Sequence, residues 1–269
     1  MLENLRASRK KLMPPSAQVV VETWDLLGYE SLDVDQVRAN FNELLYDLFI
    51  KTLDVLESHE QKVDVETLLP QVVQKNPGLV ASLRSKMKNL GDDEHALAAT
   101  LSHFLQNVHP VLKGYYLSIA QSRKQRGGQD FQLQVEFLLK NAAIPYEKQA
   151  TESRVDFLLP SKKAFEKDRP RSVVLSLKRT LRERWKQVAS EIKDLKCPNT
   201  YLVTTEKITP KDVDDIKALT IYFVVWDSVK RQSFPSEPAV VGFSKLIGDI
   251  VGLYMPQWPP NCLPAGSLT

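Results

Sequence analysis

A chain of 269 residues with 43% hydrophobic content is long enough to bury one large core or two ordinary ones, and is neither disordered nor fibrous. Its net charge of +3 excludes a globally basic nucleic-acid coat protein, so any polyanion has to be met by local clusters. The two cysteines make neither a CxxC pair nor a disulfide framework, the four histidines form no HExxH-like spacing, and no apolar run approaches the roughly 20 residues of a membrane span, so the expectation is a cytoplasmic protein without a zinc site or signal peptide.

Residues 1–118 read as helix throughout. Asp33 suits the N-cap of a helix on which Val37, Phe41, Leu44, Leu45, Leu48, Leu53 and Leu56 keep helical spacing. Two shorter helices follow in "DVETLLPQVVQKNPG" and "GLVASLRSKMKNLG", broken at Pro77 and Gly91. A longer one runs from about Asp93 to Ala120, and Pro110 and Gly114 are expected to interrupt it. Convincing strands come only later, which predicts an all-α N-terminal domain over 1–118 and a second domain over 119–269.

The boundary carries "QSRKQRGGQD", where Arg123, Lys124 and Arg126 precede Gly127 and Gly128. This stretch reads either as a solvated linker or as a phosphate-contacting cluster whose glycines let the backbone approach a ligand. Beyond it, "FQLQVEFLLKN" is an amphipathic helix with Phe131, Val135, Leu138 and Leu139 on one side. Five strand candidates follow: "IPYEKQ", "VDFLLPS", "SVVLSLK", "TYLVTTE" and "IYFVVWD". Helices over 182–196 and about 210–218 fall between the later ones, which predicts a mixed five-stranded sheet flanked by helices.

Asp156 stands at the start of one strand candidate and Lys178 at the end of the next. If the two strands pair as a hairpin, the side chains meet at one end of the sheet. A carboxylate beside a lysine suits divalent-metal hydrolysis of a phosphodiester: the carboxylate binds Mg²⁺ and the lysine orients or activates the attacking water. Glu191, on the helix after Lys178, is a third candidate, since it can turn inward while Trp185 and Ile192 anchor that helix on the sheet. The plainer alternative is a surface ion pair for Asp156 and a solvated helix face for Glu191.

Between Lys178 and Glu191 the helix opens on Arg182, Glu183 and Arg184. Two arginines at a helix N-terminus oppose the macrodipole, a cost that a partner outside the helix would offset. Arginine bonds bidentately to guanine O6 and N7 and a carboxylate accepts from cytosine N4, so the triplet carries the chemistry to read G·C pairs. A charged surface face is the alternative.

These residues resemble the type II restriction endonucleases of the PD-(D/E)XK fold, specifically the group that cuts CCGG and CCNGG sites. The stretch "VDFLLPS…LSLKRTLRERWKQVASE" is similar to that group's Asp, Lys and downstream Glu with an Arg-(Asp/Glu)-Arg triplet between, and "SRKQRGGQDFQLQVEFLL" to the lead-in of its first catalytic-domain helix, so the resemblance covers about residues 120–205. It implies catalysis by Asp156, Lys178 and Glu191, with Mg²⁺ on Asp156 and Glu191, and base reading by Arg182, Glu183 and Arg184. Where the group's first helix offers an acidic residue toward the metal, this chain has Gln132, with Glu136 one turn on as the substitute. The implied activity is Mg²⁺-dependent cutting of double-stranded DNA at a palindrome with a CCGG core, flanked by A/T pairs and left with 5′ overhangs, by a homodimer or tetramer. A CCNGG site, a structure-specific repair nuclease or resolvase on the same fold, and a DNA-binding regulator without activity are the rival readings.

Overall fold

The computed structural model describes residues 2–88, 93–148, 155–181 and 195–262. Two compact units divide the chain discontinuously: Met1–Val19 with Thr52–Arg126, and Val20–Lys51 with Gly127–Thr269. The helices are α1 (Leu2–Leu12), α2 (Ser16–Leu26), α3 (Val34–Ala39), α4 (Phe41–Val63), α5 (Leu69–Lys75), α6 (Pro77–Lys88) and α7 (Glu94–Asn141), with α8 (Lys162–Lys167), α9 (Pro210–Lys217), α10 (Asp227–Ser233) and α11 (Phe243–Asp249) later in the chain. No helix among the described residues is long and apolar enough to cross a membrane.

Asp33 caps as expected: its carboxylate accepts the Gln36 amide at 2.8 Å while the Gln36 side chain accepts the Asp33 amide at 2.9 Å. The helix it starts is short, however, because α3 ends at Asn40 and α4 begins at Phe41. Pro110 and Gly114 do not interrupt α7, which runs unbroken from Glu94 to Asn141. One proline removes one backbone bond, and the buried Val108, Tyr115 and Ile119 on either side of the site hold the helix together by packing. The "SRKQRGG" stretch is helical rather than irregular, and the two compact units divide within it, between Arg126 and Gly127, so the boundary expected at 118/119 also lies within α7.

In the first unit, Leu5, Leu68, Val72, Val108, Tyr115 and Ile119 form the core. The Tyr115 hydroxyl donates to Asp64 at 2.6 Å. Glu60 is buried and accepts from both Arg9 and Arg123.

The second unit is built on a six-stranded sheet in the order β1 (Glu147–Lys148), β2 (Phe157–Leu159), β3 (Val173–Leu177), β4 (Thr200–Val203), β5 (Tyr222–Val225) and β6 (Val240–Gly242). Pairing is antiparallel from β1 to β3 and parallel from β3 to β6. The fold is mixed α/β, as the sequence predicts, with one strand more than the five expected. The extra strand, in "AVVGF", is three residues long and ends on glycine, too short for a period to register.

All five residues of β3 are buried, which is why the strand reads as a continuous apolar run. Alternate residues feed two cores. Phe157, Leu159, Val173, Leu175 and Leu177 pack with Phe41, Leu45, Leu48, Phe131, Val135 and Leu138. On the opposite face Leu158, Val174, Leu202 and Phe223 pack with Val213 and Ile216 of α9. Each fully buried Leu or Phe contributes about 1.5–3 kcal/mol, so β3 is a firmly fixed platform.

Candidate active site

β2 and β3 are antiparallel neighbours, but α8 lies in the connection between them, so they pair without a tight hairpin turn. Asp156 immediately precedes β2 and Lys178 immediately follows β3. The Asp156 amide donates to Leu175 O at 3.1 Å, and the Lys178 amide donates to Val203 O at 2.8 Å, so each residue extends a ladder by one rung. The side chains converge as the spacing suggested. Asp156 Oδ2 accepts the Leu177 amide at 2.6 Å and lies 3.9 Å from Nζ of Lys178.

Burial pushes the Asp156 carboxyl above its usual range, against the pull of Lys178, the Leu177 amide and Lys148. Its positive partners thus fall short of compensating its desolvation. A hard oxygen ligand in that condition fits a hard divalent cation, which would supply the missing charge. Among the described residues no group of three or more His, Cys, Asp or Glu stands together as a metal cluster. Glu191, the second ligand that the sequence suggests, lies outside the described residues, as do Arg182, Glu183 and Arg184.

Glu136 belongs to the same unit, on α7. Its carboxylate accepts the Lys148 ammonium and, at 3.2 Å, the Tyr146 hydroxyl. Tyr146 is pushed up to about 12, first by burial and then by the Glu136 charge and hydrogen bond. Lys148 is paired in register with Phe157 and also acts electrostatically on Asp156. One turn before Glu136, Nε2 of Gln132 is buried without a hydrogen-bond partner among the described residues. Glu136 is therefore held by polar groups rather than turned into the core, which suits the role of substitute for an acid at 132.

Lys148 and Tyr146 are absent from the sequence reading. Their signal was the strand candidate "IPYEKQ": an edge strand next to the Asp156 strand must place some side chain beside that carboxylate.

The basic cluster lies in the first unit. Arg123 donates from Nε to Glu60 at 2.8 Å and also from Nη2. Arg126 Nη2 donates to Pro14 O at 2.9 Å. Lys124 is exposed. The close approach at Gly127 is made by the chain itself: a Cβ there would collide with Nη1 of Arg179, whereas a Cβ on Gly128 would meet nothing within 4 Å.

Residues 92–247, more than half of the chain, match the family described as EcoRII C terminal. The type II restriction enzyme SsoII of Shigella sonnei is 30% identical over 101 residues, covering 34% of this chain. The match spans 33% of that enzyme's own length. Among solved structures, metal-depleted Ecl18kI in complex with uncleaved, modified DNA is similar with a TM-score of 0.78 at 19% identity, over 96% of this chain and 85% of that one. A PspGI complex with substrate DNA has a TM-score of 0.57 at 18% identity, over 90% and 94% of the two chains. At these identities the structural likeness establishes the fold, that of a restriction endonuclease.

Proposed function

Because the chain belongs to the EcoRII C-terminal family, we propose that it is a type II restriction endonuclease, a site-specific deoxyribonuclease that cuts both strands of DNA with Mg²⁺ as its cofactor. The observation that carries this reading is the convergence of Asp156 and Lys178 at 3.9 Å, on the ends of adjacent strands in a rigid sheet.

Asp156 and Glu191 would hold Mg²⁺, whose charge, when bound, offsets that of the scissile phosphate. Lys178 places its ammonium beside the phosphate, where it orients the attacking water and stabilises charge that develops as the P–O bond breaks. The Leu177 amide fixes the Asp156 carboxylate from behind, so the ligand does not swing between strands. Glu136 contributes a second acidic group, tethered by Lys148 and Tyr146.

The site that the resemblance implies is a palindrome with a CCGG core between A/T pairs, cut to leave 5′ overhangs. CCNGG is the alternative. Arg182 and Arg184 read guanines and Glu183 accepts from cytosines. A palindrome cut in both strands calls for two copies of the site related by a two-fold axis, hence a homodimer or a tetramer built from such dimers.

Incubation of plasmid DNA with the protein in Mg²⁺ and in EDTA tests this reading. Discrete bands in Mg²⁺ alone are expected, and the fragment ends give the sequence, the overhang and any central base pair. A smear or junction-specific nicking would indicate a repair nuclease, and an intact plasmid a binding protein.

A further inference from the structure

Lys148 and Glu136 stand beside the Asp156–Lys178 pair, and the fold fixes them there from two directions. Lys148 is paired in register with Phe157 across β1 and β2, and Asp156 is the residue before Phe157. Neighbouring strands lie about 5 Å apart and successive residues about 3.4 Å, so the backbones of Lys148 and Asp156 are about 6 Å from each other. Residues directly opposite share a face, and Phe157 packs with Phe131 and Val135 of α7. The lysine stem therefore turns toward α7, where its ammonium donates to Oε2 of Glu136. Two residues earlier, the Tyr146 ring meets the Phe157 ring edge-on at 5.4 Å between centroids, and its hydroxyl donates to Oε1 of Glu136 at 3.2 Å.

Both oxygens of Glu136 thus carry a donor, and one of the two donors is a full positive charge. The pair is not sealed off, since the Lys148 side chain is 38% exposed and that of Glu136 22%. A hydrated cation can reach Glu136, so what turns it away is charge and not bulk. The same ammonium acts on Asp156, whose carboxyl it pulls down against the larger effect of burial. Among the described residues the site therefore sets two acids, Asp156 and Glu136, against two ammonium groups, Lys178 and Lys148. The two acids differ in kind. Burial leaves Asp156 short of positive charge, whereas Glu136 already has a cation in contact. Hydrolysis by paired metals sets two divalent ions about 3.5–4 Å apart, and each needs carboxylate oxygens free to bind it.

We propose that the Lys148 ammonium, seated on Glu136, is a built-in cation that takes the place of a second divalent ion, so that the site charges with a single ion, at Asp156. This rests on the nuclease reading above. Lys148 is a positioning residue in this scheme, because it acts through the carboxylate that it neutralises. Glu136 in turn keeps the lysine from lying across Asp156 and competing with the ion there.

The test is Mn²⁺ binding to the free protein, followed by electron paramagnetic resonance as loss of the free-ion signal. Wild type is compared with Lys148→Met, Lys148→Arg, the double variant Lys148→Met/Glu136→Gln and Asp156→Asn, with melting temperature and plasmid cleavage in Mg²⁺ recorded alongside. Wild type should bind one ion per chain more than Asp156→Asn. Lys148→Met should bind two more, and the double variant should fall back to one, since the added ion needs Glu136. Lys148→Arg keeps the charge and should stay at one, a rescue that a merely structural lysine would not show. Should Lys148→Met fail to fold, Lys148→Gln takes its place. Two ions in wild type or in Lys148→Arg, or one in a folded neutral variant, would overturn the inference, and cut plasmid would leave the nuclease reading standing. Wild type that binds no more Mn²⁺ than Asp156→Asn overturns the inference as well, and if it also leaves plasmid uncut in Mg²⁺, the nuclease reading falls with it.

Discussion

Leu177 donates its amide to the same oxygen of Asp156, at 2.6 Å, that faces Nζ of Lys178 at 3.9 Å. The carboxylate is thus restrained by backbone on one side and by a loose ion pair on the other, while burial pushes its pKa up. A raised carboxyl pKa in the folded chain means that the fold binds this proton more tightly than the unfolded chain does. Asp156 therefore weakens stability at neutral pH, and the penalty disappears as the pH falls below the ordinary carboxylate range. Asp156→Asn keeps an acceptor for the Leu177 amide and should raise the melting temperature at neutral pH, with the gain shrinking toward acid. Calorimetry across that range checks the sign, and a variant less stable than wild type at neutral pH would refute it.

Under the proposed nuclease reading, the pair that costs stability carries the activity. Asp156→Ala and Lys178→Ala should abolish cleavage while binding to the cognate duplex remains measurable, because charge at the phosphate is lost but base contacts remain. Gel shifts in Ca²⁺ alongside cleavage in Mg²⁺ separate the two effects. Near wild-type cutting by Lys178→Ala would remove the active-site assignment.

Glu136 and Gln132 make a contrasting pair one helical turn apart. Gln132→Ala is expected to cut at close to the wild-type rate, whereas Glu136→Ala should be severely impaired. Glu136→Gln should also bring Tyr146 down from about 12, though not to the value of a free phenol, since burial is the larger cause. NMR of labelled tyrosine follows that titration, and an unmoved Tyr146 would contradict the contact.

The basic cluster separates by partner. Glu60→Ala removes the buried acid that the largely covered Arg9 pairs with and should cost about 3–5 kcal/mol, visible as an earlier urea midpoint. Lys124 is exposed, and Lys124→Ala is expected to reduce the slope of log affinity against log salt by about 1, equally for cognate and scrambled DNA. An unchanged slope would dismiss Lys124 as a phosphate contact.

Arg182→Ala, Glu183→Ala and Arg184→Ala should each lose about 1–3 kcal/mol of discrimination at G·C positions and none at flanking A·T pairs. Binding to singly substituted duplexes in Ca²⁺ measures this. Equal loss for cognate and scrambled DNA would reduce the triplet to a phosphate clamp.

The sheet and the Asp156–Lys178 meeting were legible in the sequence because buried strands announce themselves as short β-branched runs and their ends mark where polar groups emerge. What escaped depended on contacts distant in the chain. Nothing local to Gly127 says that the guanidinium of Arg179 will lie against it, and nothing near Glu60 says that it will be shared by Arg9 and Arg123. Pro110 misled because its local penalty is outweighed by the packing of Val108, Tyr115 and Ile119. The segment Val20–Lys51 reads as part of one helical half, yet Phe41, Leu45 and Leu48 pack in the core of the sheet unit, a pairing that helical period alone cannot assign.

The described part of the edge strand β1 carries Glu147 and Lys148, both charged. An open edge of paired strands is a template on which a second molecule can add its own backbone, the first step of aggregation. An acid and a base on that edge impose a desolvation penalty on any strand that would add there. The lysine that bonds Glu136 thus also guards the edge of the sheet against a second molecule's backbone.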